Sequence, residues 1–244
     1  MTDVAAAPKP RTERRLQRMR ATHSYWAVLG AIFVAFFFAA LLPDAAWATS
    51  LVVFVLSGTL LVAIWTAGWG MAERRGASGV AVAGAAAAVV NIFSEGQALT
   101  AVLGILAGVL IVTIAVVVAR GALAQQEVNS RSVAGAICVY VLFGMLFMFV
   151  YGVLAALDSG PFFAQGTDGT RAVRLYFSFV TLATLGYGDY TPASNLGHAL
   201  AVLEAVIGQL YLVTVVAVVV TRLGLPADRF RKYQKESETN GPQT

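Results

Sequence analysis

Apolar and polar positions along this chain fall in long blocks rather than at a strand or surface-helix period. Six apolar blocks stand out, at residues 25–42, 50–70, 77–93, 98–119, 133–156 and 196–220. Each approaches the roughly 20 residues that an α-helix needs to cross a hydrocarbon layer. The third is short and rich in Ala and Gly, residues that let neighbouring helices approach closely. Gly104 and Gly108 form a GxxxG pair in the fourth, a spacing that favours helix association but also arises by chance in a Gly-rich run.

The pattern breaks between the fifth and sixth blocks. Residues 157–170 read as loop, with Asp158, Gly160, Pro161, Gly166 and Gly169. Residues 172–183 are apolar and helix-compatible, and Thr170 stands ready as an N-cap. Twelve helical residues rise only about 18 Å, too little to cross. The next residues, "TLATLGYGDYTP" (181–192), cannot continue a helix. A short apolar segment ending in Gly-rich backbone between two spans is a re-entrant pattern. Such backbone is tolerated at membrane depth only where it is buried in protein or lines a watery path. Gly186 and Gly188 can take positive φ, which turns successive carbonyls to one side. A row of carbonyl oxygens in a narrow path replaces the water shell of a cation, and Thr184 can add its hydroxyl at the inner end of the row.

Composition agrees with a membrane protein. The chain is 58% hydrophobic and 12% charged, against about 25% charged in soluble domains, and its mean hydropathy is +0.74. The net charge of +4 does not point to nucleic acid, because the basic residues lie at the ends and between apolar blocks. Lys9, Arg11, Arg14, Arg15, Arg18 and Arg20 precede the first block. Arg74 and Arg75 follow the second, and Arg120 and Arg131 follow the fourth. Arg222, Arg229, Arg231, Lys232 and Lys235 follow the sixth. Six spans put all of these on one side and leave only Arg171 and Arg174 on the other. By the positive-inside rule both termini are then cytoplasmic, in a multi-pass protein of the plasma membrane. Ala46-Trp47-Ala48 after the first block has the form of a signal-peptidase site, but that block is longer than a usual signal core. Cys138 cannot pair within its own chain and reads as a small buried hydrophobe.

Residues 181–189, Thr-Leu-Ala-Thr-Leu-Gly-Tyr-Gly-Asp, resemble the signature of bacterial tetrameric potassium channels. Tyr176-Phe177 before them and Thr191-Pro192 after them extend the match. The sixth block, "LEAVIGQLYLVTVVAVVVTRL", looks like the inner helix of small bacterial members, so the resemblance covers roughly residues 133–225. It implies an all-α integral membrane fold: six transmembrane helices with a re-entrant pore helix and a selectivity-filter loop, assembled as a homotetramer. One filter segment per chain requires four copies to surround an ion, which disfavours transporters with four such segments in one chain. The resemblance implies K+ held by Thr184, Leu185, Gly186 and Tyr187, with Gly188 completing the filter. Asp189, Thr181 and Tyr176 are implied as filter support, Gly208 as a hinge, and Leu212, Val216 and Val220 as a pore-facing gate. Leu185 departs from the commoner Val or Ile; lacking β-branching, it is less stiff in extended backbone.

The implied organisation is a basic arm (1–24), a four-helix region (25–120), a linker (121–132), a pore domain (133–221) and a short tail (222–244). The fourth block carries no charge before Arg120, so conventional voltage sensing is not expected. The tail is too short for a ligand-binding domain. Its basic front end is either a topology signal or a contact for anionic lipid headgroups. Glu204 is the one ionisable side chain well inside a span. It reads either as a proton sensor or as a bond to the back of the pore helix. His198 reads as a solvated interfacial residue. No metal-ligand spacing, phosphate loop or nucleophile pairing supports an enzyme, and no cofactor is expected beyond permeant K+. The expected partners are copies of the chain itself and membrane lipids, with no nucleic acid. A secondary transporter should show paired interruptions, whereas this chain has one. The remaining alternatives are a non-selective cation channel and a non-conducting regulatory subunit.

Overall fold

A computed structural model describes residues 11–66, 71–93, 97–123 and 130–223. These residues form helices α1 (Arg11–Leu41), α2 (Ala46–Thr66), α3 (Met71–Phe93), α4 (Gln97–Leu123), α5 (Ser130–Leu157), α6 (Arg171–Leu182) and α7 (Asn195–Leu223). The only strand-like pairing among them is two isolated bridges, from Phe163 to Thr167 and to Pro192. The protein is all-helical, as its apolar blocks predict.

Among the described residues, four helices contain stretches long and apolar enough to cross a membrane: Ala46–Trp65, Val102–Gly121, Val133–Leu157 and Asn195–Val215. α1 supplies a shorter apolar stretch, Trp26–Leu41. α3 opens with Glu73, Arg74 and Arg75 and is otherwise diluted by Ala and Gly. Two boundaries differ from the apolar blocks. α1 begins at Arg11, so the described part of the basic arm continues directly into the first apolar block. Its Arg, Leu, Gln, Met and Ala residues are good helix formers, and hydropathy alone does not register that. α2 begins at Ala46, ahead of its apolar block, because the N–H groups of Ala48 and Thr49 both bond to the Ala45 carbonyl. Ala46-Trp47-Ala48 is thus the first turn of a helix.

Most of the core lies among α1 to α5, where Ile32, Leu56, Leu60, Leu110, Ile114, Leu142 and Met145 are fully buried. α4 packs against α5 with Gly104 beside Val153 and Gly108 beside Leu146, so the GxxxG face meets a neighbouring helix. A second apolar cluster, Phe147, Tyr151, Phe162, Phe163 and Phe177, surrounds the first half of α6. α7 is different: 11% of its apolar window is buried against 61% for α5, so one chain leaves most of α7 uncovered.

The α1–α2 turn and the start of α6 lie at the same end of the bundle. Arg171, only 3% exposed, donates from Nε to the Ala39 carbonyl, from Nη2 to the Leu42 and Pro43 carbonyls, and from Nη1 to Thr49 Oγ1. Its backbone N–H donates to Asp44. These carbonyls close α1, whose last C=O groups have no helical partner, so a buried guanidinium serves as their cap. Burial, with Arg174 beside it, lowers the Arg171 pKa from its ordinary value, and Asp44 opposes that shift. At the other end of the bundle, Arg120 of α4 pairs with Glu73 of α3 at 3.8 Å; both are exposed, so the pair contributes little.

Candidate functional site

α6 starts where Thr170 accepts a hydrogen bond from the Val173 N–H, and it ends at Ala183. Its terminal carbonyls are then used by the residues that follow. The N–H of Thr184 donates to the Thr181 carbonyl at 2.9 Å, and the N–H of Leu185 to the Val180 carbonyl at 2.8 Å. The N–H of Gly186 reaches the same Val180 oxygen at 3.5 Å. The backbone after α6 therefore hangs from the helix end by its N–H groups. Among the described residues, no hydrogen bond uses a carbonyl of residues 184–188 as acceptor, and these residues are exposed in the single chain.

The dihedral angles explain how the carbonyls come free. φ is +55° at Thr184, +58° at Gly186 and +77° at Gly188, while Leu185 and Tyr187 between them have negative φ. A backbone that alternates between left- and right-handed conformations gathers its N–H groups on one side and its C=O groups on the other. Glycine takes the left-handed region without steric penalty. Thr184 does not, and a β-branched residue there is a strained exception. Gln209 of α7 holds it, donating from Nε2 to Thr184 Oγ1 at 2.9 Å. The partial negative charge at the C-terminal end of α6 favours a cation in the same place.

The other residues expected at this site fall around that segment. Tyr176 of α6 stacks on Tyr187 with ring centroids 6.4 Å apart. The Asp189 carboxylate beside it raises the Tyr176 phenol pKa from its ordinary value. The Thr181 carbonyl accepts the Thr184 N–H. Gly208 lies where α7 crosses the end of α6, and a methyl group there would collide with the Leu182 carbonyl oxygen. Close approach, independent of any hinge motion, is reason enough for glycine at this position. Leu212 is half-buried on α7; the side chains of Val216 and Val220 lie outside the described residues. Glu204 is fully buried against Tyr151 of α5 and Ser178 of α6. His198 is exposed at the start of α7.

Sequence reading missed Gln209, Ser178, Tyr151 and the Arg171–Asp44 contact. Gln209 carried a signal, being a lone amide between Gly208 and Leu210 in an apolar helix. Ser178 and Tyr151 carried none, because each is ordinary in an apolar run.

Residues 135–224, from inside α5 through α7, match a family model described as ion channel. No solved structure matches the chain. The matched stretch includes α6, the exposed carbonyl segment and α7. This C-terminal stretch is thus similar to ion-channel domains, and the four long apolar helices are of the kind found in membrane proteins.

Proposed function

We propose that the protein is a potassium-selective channel of the plasma membrane, conducting passively through the carbonyls of Thr184, Leu185, Gly186 and Tyr187, with Gly188 completing the filter. One observation carries this reading. The N–H groups of Thr184, Leu185 and Gly186 turn back to α6, while among the described residues no hydrogen bond uses a carbonyl of residues 184–188, and these residues are exposed in the single chain. Free carbonyls cost too much energy in a membrane unless an ion or water meets them. A dehydrated cation is the ligand that a row of carbonyls suits.

A single chain supplies one wall of such a path, and the uncovered face of α7 agrees with burial by other copies. A homotetramer encloses the ion. α6 is then the re-entrant pore helix, and α1 and α3 join the four long apolar helices as spans. Arg171 and Arg174 lie outside, and both termini are cytoplasmic. The working ligands are permeant K+ ions and no other cofactor, and the basic tail meets anionic lipid headgroups. Between Gln97 and Ala119, α4 has no charge, so voltage dependence is weak. Leu212, Val216 and Val220 are spaced by four on one side of α7 and close the path when four copies converge.

Uptake of a radioactive potassium analogue into liposomes holding the purified chain tests the reading. Accumulation driven by a potassium gradient, and lost when sodium replaces potassium inside, is expected. Equal uptake under both gradients would mean a non-selective path, and no uptake from an assembled tetramer would mean a non-conducting subunit.

A further inference from the structure

Glu204 is fully enclosed where α5, α6 and α7 meet, and both ion pairs found among the described residues lie elsewhere. Its Oε2 is 2.5 Å from the Tyr151 hydroxyl, and its Oε1 is 2.5 Å from the Ser178 hydroxyl. Ser178 Oγ also lies 2.8 Å from the Gly144 carbonyl oxygen. Three oxygen–oxygen contacts of this length need a hydrogen between each pair. Tyr151 and Ser178 supply one hydrogen each, and a backbone carbonyl supplies none. Two hydrogens cannot fill three contacts. The third has to come from Glu204.

We propose that Glu204 is a neutral carboxylic acid and, in that form, the positioning residue that ties α6 to α5 and α7. The hydrogen bonds then run in one direction. The Tyr151 hydroxyl donates to Oε2, the Oε1 hydroxyl of Glu204 donates to Ser178 Oγ, and the Ser178 hydroxyl donates to the Gly144 carbonyl. An ionised Glu204 would draw the Ser178 hydrogen to itself. Ser178 Oγ would then face the Gly144 oxygen with no hydrogen between them, and a charge would sit in an enclosed site without a cation. The titratable groups facing Glu204 are Tyr151 and, further away, Tyr140, both on α5. α6 offers only the Ser178 hydroxyl.

The tie matters because of where it grips α6. Ser178 is one turn before Thr181 and two residues before Val180, whose carbonyls hold the N–H groups of Thr184, Leu185 and Gly186. A rotation of α6 at Ser178 moves the anchor of the whole carbonyl segment. Only the current readout of this inference rests on the proposed conduction; the proton itself can be read without it.

Infrared spectra of the full chain in lipid nanodiscs at neutral pH, beside liposome flux, test the proposal. The wild type should show the carbonyl band of a protonated carboxyl, and Glu204→Gln should lack it. The amide of Glu204→Gln can still donate to Ser178 and accept from Tyr151, so its potassium flux should stay within about threefold of wild type. Glu204→Ala leaves the Tyr151 hydroxyl without an acceptor and Ser178 Oγ without a donor, and flux should fall at least tenfold. No such band in wild type, a band unchanged in Glu204→Gln, or Glu204→Gln as impaired as Glu204→Ala would each overturn it. Should Glu204→Gln fail to assemble, Tyr151→Phe decides: loss of the donor to Oε2 should shift the band to higher frequency, and an unmoved band would overturn the proposal. A wild type without flux would count against conduction, while its band would still decide the proton.

Discussion

Helices α1 to α4 and the region around α6 and α7 are held together by different kinds of contact. Among the described residues of α1 to α4, the core is almost wholly apolar. Ser57 and Thr59 bond back to carbonyls of their own helix, and Asn91 makes the one side-chain link from α3 to α2. Around α6 and α7 the polar side chains instead join different helices, Ser178 and Glu204, Tyr151 and Glu204, and Tyr211 to the Ala136 carbonyl at 2.6 Å, or tie α7 to the carbonyl segment, as Gln209 does with Thr184. Helices in lipid gain nothing hydrophobic by meeting each other, so apolar packing selects neighbours by shape. Directional hydrogen bonds fix rotation and height as well. The first region can therefore be a scaffold of tolerant fit, whereas the second must hold free carbonyls in place. Arg171, anchored at the start of α6 and closing α1, is where the two regions meet.

The largest effect should come from the carbonyl segment itself. At Gly186 a Cβ meets open space, yet φ of +58° opposes any L side chain. Gly186→Ala should cost about 1–2 kcal/mol per chain in that conformation. Selective flux should be abolished while the protein still assembles, as read by flux and size-exclusion chromatography. Arg171→Gln comes next, because it breaks the junction and leaves several buried acceptors without a donor, at about 1–3 kcal/mol each. Both the thermal midpoint in detergent and the flux should fall. A loss of midpoint alone would show the two regions to be uncoupled.

The contrast sharpens with a change confined to the scaffold. Leu110→Ala removes a fully buried side chain of α4 and should lower stability by roughly 2–5 kcal/mol. The potassium-to-sodium flux ratio should stay as in wild type. An altered ratio would erase the distinction between the regions. The smallest effect on fold is expected from Val216→Asn, which keeps the side-chain size and wets the expected gate. Leaky channels with normal selectivity in single-channel records should result, and normal closure would move the gate to the filter.

The carbonyl segment was the most legible part of the sequence, because glycine at 186 and 188 marks backbone that departs from the helix between two long apolar runs. The limits of α6 were legible within a residue, since Thr170 caps it and the apolar run is bounded by Gly-rich sequence. The positive φ of Thr184 was not. A β-branched residue ordinarily reads as extended, and the bonds of Thr184 to Thr181 and Gln209, with those of its neighbours Leu185 and Gly186 to Val180, hold it otherwise. Arg171 counted merely as one of two basic residues on the outer side. Its side-chain partners are mostly backbone carbonyls, 122 to 132 residues away, and a carbonyl leaves no mark in the sequence. The α1 limits were hidden for a different reason: an apolar block records where a helix meets lipid, and α1 continues well past that point.

The central claim is that this exposed backbone selects potassium, and a reversal potential tests it most directly. With mostly potassium on one side of a planar bilayer and mostly sodium with a little potassium on the other, current through the purified chain should reverse near the potassium equilibrium potential. Gly186→Ala should give no such current. A reversal near zero in the wild type would contradict the account, because it would mean that the free carbonyls of residues 184–188 do not distinguish the two ions.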